Sequence, residues 1–164
     1  DMMRDPTATR RTVEEFVGLA DVVRASDRDM VYISRGSAPE RVIAGWLDLG
    51  PKLVVLTQGP GDVVAFTSSG VELRVPTPKV KVADTVGGGD AFMTGLIDGL
   101  WTAGLLGADN RDKLGHIQES TLRSILQRCT SIAGITVSRD GANPPRADEL
   151  DQIDKVTGDT PGTH

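Results

Sequence analysis

The chain has 164 residues, 38% hydrophobic and 25% charged, with aromatics at 4%: enough apolar material for the core of one domain, and too much for a disordered chain. A formal net charge of −5 argues against a nucleic-acid partner, which calls for a basic face. No apolar run approaches the roughly 20 residues that span a bilayer, DMMRDP does not read as a signal peptide, and the single cysteine, Cys129, excludes an internal disulfide, so no membrane partner and a cytoplasmic location are expected.

In chain order, residues 10–20 place Val13, Phe16, Val17 and Ala20 at helical spacing. ADVVRAS then reads as a short buried strand, and Ser26 or Asp27 caps a short helix. PERVIAGWLDLG is a second helix, opened by Pro39 and stopped at Gly50. PKLVVLTQG is the strongest strand, apolar on both faces from Leu53 to Leu56 as central parallel strands are. The stretch to Val82 reads as short β segments turning at Pro60-Gly61 and Ser69-Gly70, with Pro76 and Pro78 holding the last one to a sheet edge. Beyond the glycine run at 87–89 comes a helix of small and apolar residues, then a polar connection over 108–118. A long amphipathic helix starts near Glu119 and repeats Leu122, Ile125, Leu126, Cys129, Ile132 and Ala133. Residues 1–150 read as one three-layer α/β unit and 151–164 as a flexible tail.

The chemistry points to Asp84-Thr85-Val86-Gly87-Gly88-Gly89-Asp90. Three glycines let the backbone turn tightly and aim several N–H groups at one point, and the next helix adds unpaired amides and its positive dipole end. That makes an anion site of backbone alone, suited to phosphate. Asp90 would repel an anion in a purely binding loop. It suits group transfer, where a carboxylate takes the proton of an attacking hydroxyl. The plainer reading is a flexible turn with a capping aspartate. Neither a Walker A sequence nor a dinucleotide G-x-G-x-x-G is present. The histidines, His116 and His164, read as solvated, Trp46 and Trp101 as core, and the arginines from 24 to 41 as solvated surface.

Residues 84–90 resemble the D-T-x-G-A-G-D signature of the ribokinase-like sugar kinases (the PfkB family), with Gly88 in place of the usual Ala. ADVVRAS with Asp29 resembles the family's strand ending in N-x-x-E, VVLTQGPGDVVAF its T-x-G-x-x-G strand-turn, and ITVSRDGANPP its closing segment. Order and spacing agree over residues 5–146. The resemblance implies a ribokinase-like sandwich, C-terminal portion, with a mostly parallel sheet, flanking helices and a small β meander. It further implies ATP-dependent phosphorylation of a sugar or sugar-like alcohol with Mg²⁺, closest to the fructokinase-like branch. Asp90 would be the general base and the amides of Gly87, Gly88 and Gly89 the anion hole. Ser26 and Asp29 would support Mg²⁺ and phosphates. Thr57, Gln58, Gly59 and Gly61 would form the nucleotide turn, and Cys129 would lie near the adenine pocket. A monovalent cation, potassium, would sit by Asp84, Val86, Thr136, Arg139 and Gly141.

Departures from the family pattern shape a second reading. Ser26 and Asp29 replace Asn and Glu, and Asp62 stands where Gly is usual, so its carboxylate must turn to solvent. Nothing matches the family's first half, with its sugar-binding segment and its β lid, through which members often form a homodimer. The alternative is therefore a truncated or degenerate nucleotide-binding module that does not turn over.

Overall fold

The computed structural model describes residues 6–34 and 36–150. The first helix, α1, runs over Pro6–Val17, four residues earlier than the apolar spacing indicates. Proline is already at the helical φ for a first turn. The pairs Arg10–Glu14 at 2.8 Å and Arg11–Glu15 at 3.2 Å support its polar face. Strand β1 (Val22–Ser26) follows, then α2 (Asp27–Ser34), α3 (Pro39–Leu49) and strand β2 (Leu53–Thr57). The two helices form the crossover that makes β1 and β2 parallel, with Ser26 beside Thr57 in register. Strands β3 (Val63–Thr67) and β4 (Glu72–Val75) then pair antiparallel, giving one sheet in the order β1-β2-β3-β4.

The sheet of the described residues is therefore mixed rather than mostly parallel. The turns between β2 and β3 and between β3 and β4 are too short for crossovers, so the meander extends the sheet instead of standing apart from it. Residues 76–83, with alternation in Lys79-Val80-Lys81-Val82, form no strand. Pro76 and Pro78 remove donors from the ladder. The strap they begin is fastened elsewhere, by Thr77 Oγ1 donating to the Gly61 carbonyl (2.6 Å) and Ala83 N–H to that of Val137 (2.8 Å).

Helix α4 spans Gly88–Thr102, α5 spans Arg111–Gly115 and α6 spans Glu119–Val137. The stretch 108–118 is more than a polar connection: it holds α5, and its Leu114 and Ile117 are buried in the core. Alternation along β2 fixes the layers. Leu53 and Val55 face α4 and α6, whereas Val54 and Leu56 face α1, α2 and α3. All four are almost inaccessible to solvent, and each such side chain contributes about 1.5–3 kcal/mol. On one face α4 and α6 pack closely, because a Cβ at Gly95 or Gly99 would stand 2.8 Å from Ile132 or Ile125. Trp46 fills the other core as its composition suggests, but Trp101 is 74% exposed and is not core. The tail at 151–164 lies outside the described residues.

The buried indole N–H of Trp46 has no acceptor among the described residues. Urea titrations should therefore find Trp46→Ala destabilised by about 3–5 kcal/mol. Trp46→Phe should cost no more than about 1.5 kcal/mol, because it removes the unpaired donor along with part of the volume.

Candidate functional site

Parallel strands β1 and β2 end side by side, and the first turn of α4 rises beside them. Between these ends and α6 lies a cavity of about 600 Å³. Gly88 and Gly89 line it, as do Ser26, Thr57 and Gly59. Gly87, the cap of α4, has φ +79°, and a Cβ there would stand 2.8 Å from Ala142. A Cβ at Gly88 would come 2.6 Å from Val137, and one at Gly89 3.0 Å from the Arg24 guanidinium. Three different neighbours thus exclude a side chain at three successive positions. The Val137 contact also accounts for Gly88 where the family carries Ala. The first α-helical bond closes from Ala91 N–H to the Gly87 carbonyl at 2.8 Å. The amides of Gly89 and Asp90 precede it and have no carbonyl within the helix to bond.

Arg24 is the residue that the sequence reading misses. It is a half-buried part of the site, not solvated surface. Its Nη2 donates to Thr57 Oγ1 at 2.7 Å, and its guanidinium lies against Gly89. Its Nε is buried without an acceptor among the described residues. A buried donor on a cation is costly unless something satisfies it, and an anion at the start of α4 would do so. The signal was one charged residue inside the apolar run VVRAS.

Ser26 and Asp29 are joined to each other. Asp29 Oδ2 accepts from the Ser26 N–H and from its Oγ–H, each at 2.7 Å, and the Asp29 N–H approaches Ser26 Oγ at 3.2 Å. This is a capping box with Asp in the Glu position, and the shorter carboxylate closes it. Ser26 lines the cavity while Asp29 stands behind it. Gln58 and Gly61 do not line the cavity; they form the turn under it, with the Gly61 N–H on the Gln58 carbonyl at 2.9 Å. Asp62 is exposed, as its place beside an anion site requires.

Cys129 requires a correction. It is fully buried between α6 and α4, 3.4 Å from where a Gly95 Cβ would be, and it does not reach the cavity. Burial pushes its thiol up to about 12 from a usual 9.0. The α6 wall of the cavity is formed instead by Thr130, Ala133, Gly134 and Val137, faced by Val80 and Val82 of the strap. The cavity is thus polar at the strand ends and apolar at the far end.

Asp84 joins two loops. Its Oδ1 accepts from the Val86 N–H (3.0 Å) and its Oδ2 from the Gly141 N–H (3.2 Å). Of the five residues expected around a monovalent cation, the structure brings Asp84, Val86 and Gly141 together. The Thr136 hydroxyl donates to the Ile132 carbonyl at 2.8 Å, and the Arg139 guanidinium pairs with Glu149, so neither side chain turns to a cation. Hydrogen bonds from Arg139 and Arg146 hold the Glu149 carboxyl below the usual range. Asp90 sits on the first turn of α4, exposed and outside the cavity lining; its carboxylate bonds no other described residue. No group of three or more His, Cys, Asp or Glu among the described residues could hold a metal ion.

The description "pfkB family carbohydrate kinase" belongs to the family model that matches residues 1–149. The chain belongs to that family. Fructokinase-2 of Zea mays is 31% identical over 141 residues, which are 85% of this chain and 39% of the maize protein. The crystal structure of a fructokinase with bound ATP from Xylella fastidiosa has a TM-score of 0.76 at 24% identity, covering 91% of this chain and 47% of that one. A fructokinase from Vibrio cholerae O395, solved with fructose, ADP and calcium ion, has a TM-score of 0.73 at 25% identity, covering 91% and 46%. The chain thus spans under half the length of each, and the fold it shares with the solved structures is the ribokinase-like three-layer sandwich.

Gly88→Ala should destabilise the protein by about 1–3 kcal/mol, the cost of overpacking, and the double variant with Val137→Ala should recover most of it. Equal losses in both variants would show that Val137 is not the obstacle. The Cys129 thiol gives a pH signature. The unfolded chain releases its proton near pH 9 and the folded chain near 12, so above pH 9 the unfolded state binds fewer protons and stability falls as pH rises to about 12. Cys129→Ala should flatten that part of the urea-midpoint profile.

Proposed function

We propose that the cavity takes ATP and that the protein, with an acceptor site completed outside the described residues, transfers the γ-phosphoryl group to a sugar hydroxyl. Fructose-like acceptors are favoured by the fructokinases among the relatives. One observation carries the reading: the buried, unpartnered Nε of Arg24 beside the unbonded amides that begin α4. The polar end suits a triphosphate, and the apolar slot between α6 and the strap suits a flat base. Gly88 and Gly89 present amides to the terminal phosphate, and Arg24 adds a full positive charge there. Asp90 accepts the proton of the attacking hydroxyl as its oxygen bonds to phosphorus. The bond to the bridging oxygen then breaks, and ADP leaves with that electron pair. Most of the effect is positioning and charge stabilisation.

Mg²⁺ neutralises phosphate charge when bound. With no carboxylate cluster to hold it, it would arrive on the phosphates, and the Ser26 hydroxyl, fixed by Asp29, offers an oxygen at that end. Potassium, if used, would act through main-chain carbonyls of the Asp84 and Gly141 loops, since the side chains there are engaged. A second reading, nucleotide binding without turnover, is favoured by the exposure of Asp90: a general base needs its acceptor held in line, and no described residue does that here.

Calorimetry separates these outcomes. The chain should bind ATP, and Arg24→Ala should weaken binding about 10- to 150-fold, the loss of charge-assisted hydrogen bonds. Asp90→Asn should leave ATP affinity unchanged or slightly tighter, while phosphoryl transfer falls by about 10²–10⁴. ATP affinity indifferent to Arg24 would remove the phosphate site from this cavity. Full turnover in Asp90→Asn would remove the base.

A further inference from the structure

The two edges of the sheet are treated differently. At β4 the edge is short, four residues, with Glu72 and Arg74 paired across it at 2.9 Å and prolines at 76 and 78. These are the devices that prevent a strand from recruiting another. At β1 there are none. Its sequence VVRAS has no proline, and its one charged side chain turns inward to Thr57 and Gly89 rather than guarding the edge. The same asymmetry marks α4. One flank packs on α6 through Gly95 and Gly99, and the next face carries Asp90, Thr94, Ile97 and Trp101 at helical spacing, all exposed. Ile97 is 48% and Trp101 74% accessible, on a helix whose other large apolar residues are mostly buried. Because Arg24 of β1 touches Gly89 at the start of α4, the bare edge and the bare stripe meet at the site.

We infer that β1's free edge and the Thr94–Ile97–Trp101 stripe form one polypeptide-docking face. Its occupant is a strand-and-helix unit equivalent to the half of the fructokinases that this chain does not match. A second copy of this chain fits poorly. Symmetric antiparallel pairing over all five residues of β1 centres on Arg24 and sets two guanidinium-bearing residues directly opposite, which is destabilising. A non-identical unit carries no such penalty. Nearly all of this chain already superposes on 47% of the Xylella fructokinase, so a body of similar size remains to be placed. Seated there, it would cover the end of the stripe where Asp90 lies and exclude water from it. The inference rests on the kinase reading only for that last consequence.

The test mixes this chain with the portion of maize fructokinase-2 that it does not match, each expressed separately. A 1:1 complex is expected by light scattering, with hydrogen exchange at amides 22–26 slowed about tenfold or more. Trp101 emission should move to the blue, a shift absent in Trp101→Phe. Ile97→Asp with Trp101→Asp should abolish the complex while circular dichroism and ATP binding stay unchanged. No complex, a complex that survives those substitutions, or one that leaves amides 22–26 unprotected overturns the inference. So does a homodimer of this chain that protects the same amides. Loss of ATP binding in the unmodified chain would overturn the proposed function instead, and leave the docking result to stand or fall by itself.

Discussion

The start of α4 lies in close contact with three separate parts of the chain. Gly87 lies under Ala142, Gly88 against Val137 and Gly89 against the Arg24 guanidinium, each closer than a Cβ allows. The rest of the site depends on that proximity. It brings the closing loop, the end of α6 and the end of β1 to one cluster of amides, so that the donors of a helix terminus and a fixed cation converge without any flexible side chain in between. An anion held there needs little reorganisation of the protein, the condition under which fixed dipoles are most effective.

Electrostatics and packing serve each other around this point. Asp84 uses its carboxylate to clasp the Val86 and Gly141 amides, which keeps a negative charge near the site occupied and the two loops in place. Asp29 does the same for Ser26. Both acids are spent on backbone and hydroxyl donors. Arg24 is the unsatisfied member, and Asp90 the unengaged one. These two groups, one seeking an anion and the other free to take a proton, flank the same turn of helix, a division of roles suited to phosphoryl transfer.

Much of this was legible in the sequence. The apolar run of β2, the punctuation at Gly50 and the periodicity of α6 each follow from local chemistry that the packing then reinforces. The glycine run followed by Asp90 was legible as an anion site because backbone geometry alone creates it. Contacts distant in sequence were not. Arg24 reads as one more surface arginine until β1 is seen to end beside α4, and Cys129 reads as a pocket residue until α6 is seen to turn that face toward Gly95. Trp101 reads as core because an aromatic on an apolar helix usually is; which flank of α4 remains bare is a property of the tertiary arrangement. The mixed sheet was recoverable in principle, since the short links around 60 and 70 allow only antiparallel neighbours.

The most direct test of the central claim is an ATP titration followed by ¹H–¹⁵N spectroscopy of the labelled chain. Convergence of amides and cation on the terminal phosphate predicts the largest shifts at the amides of Gly88, Gly89 and Asp90 and at the Arg24 Nε–H, reduced when ADP replaces ATP. Shifts confined to the strap and α6, with those four signals unmoved, would contradict it.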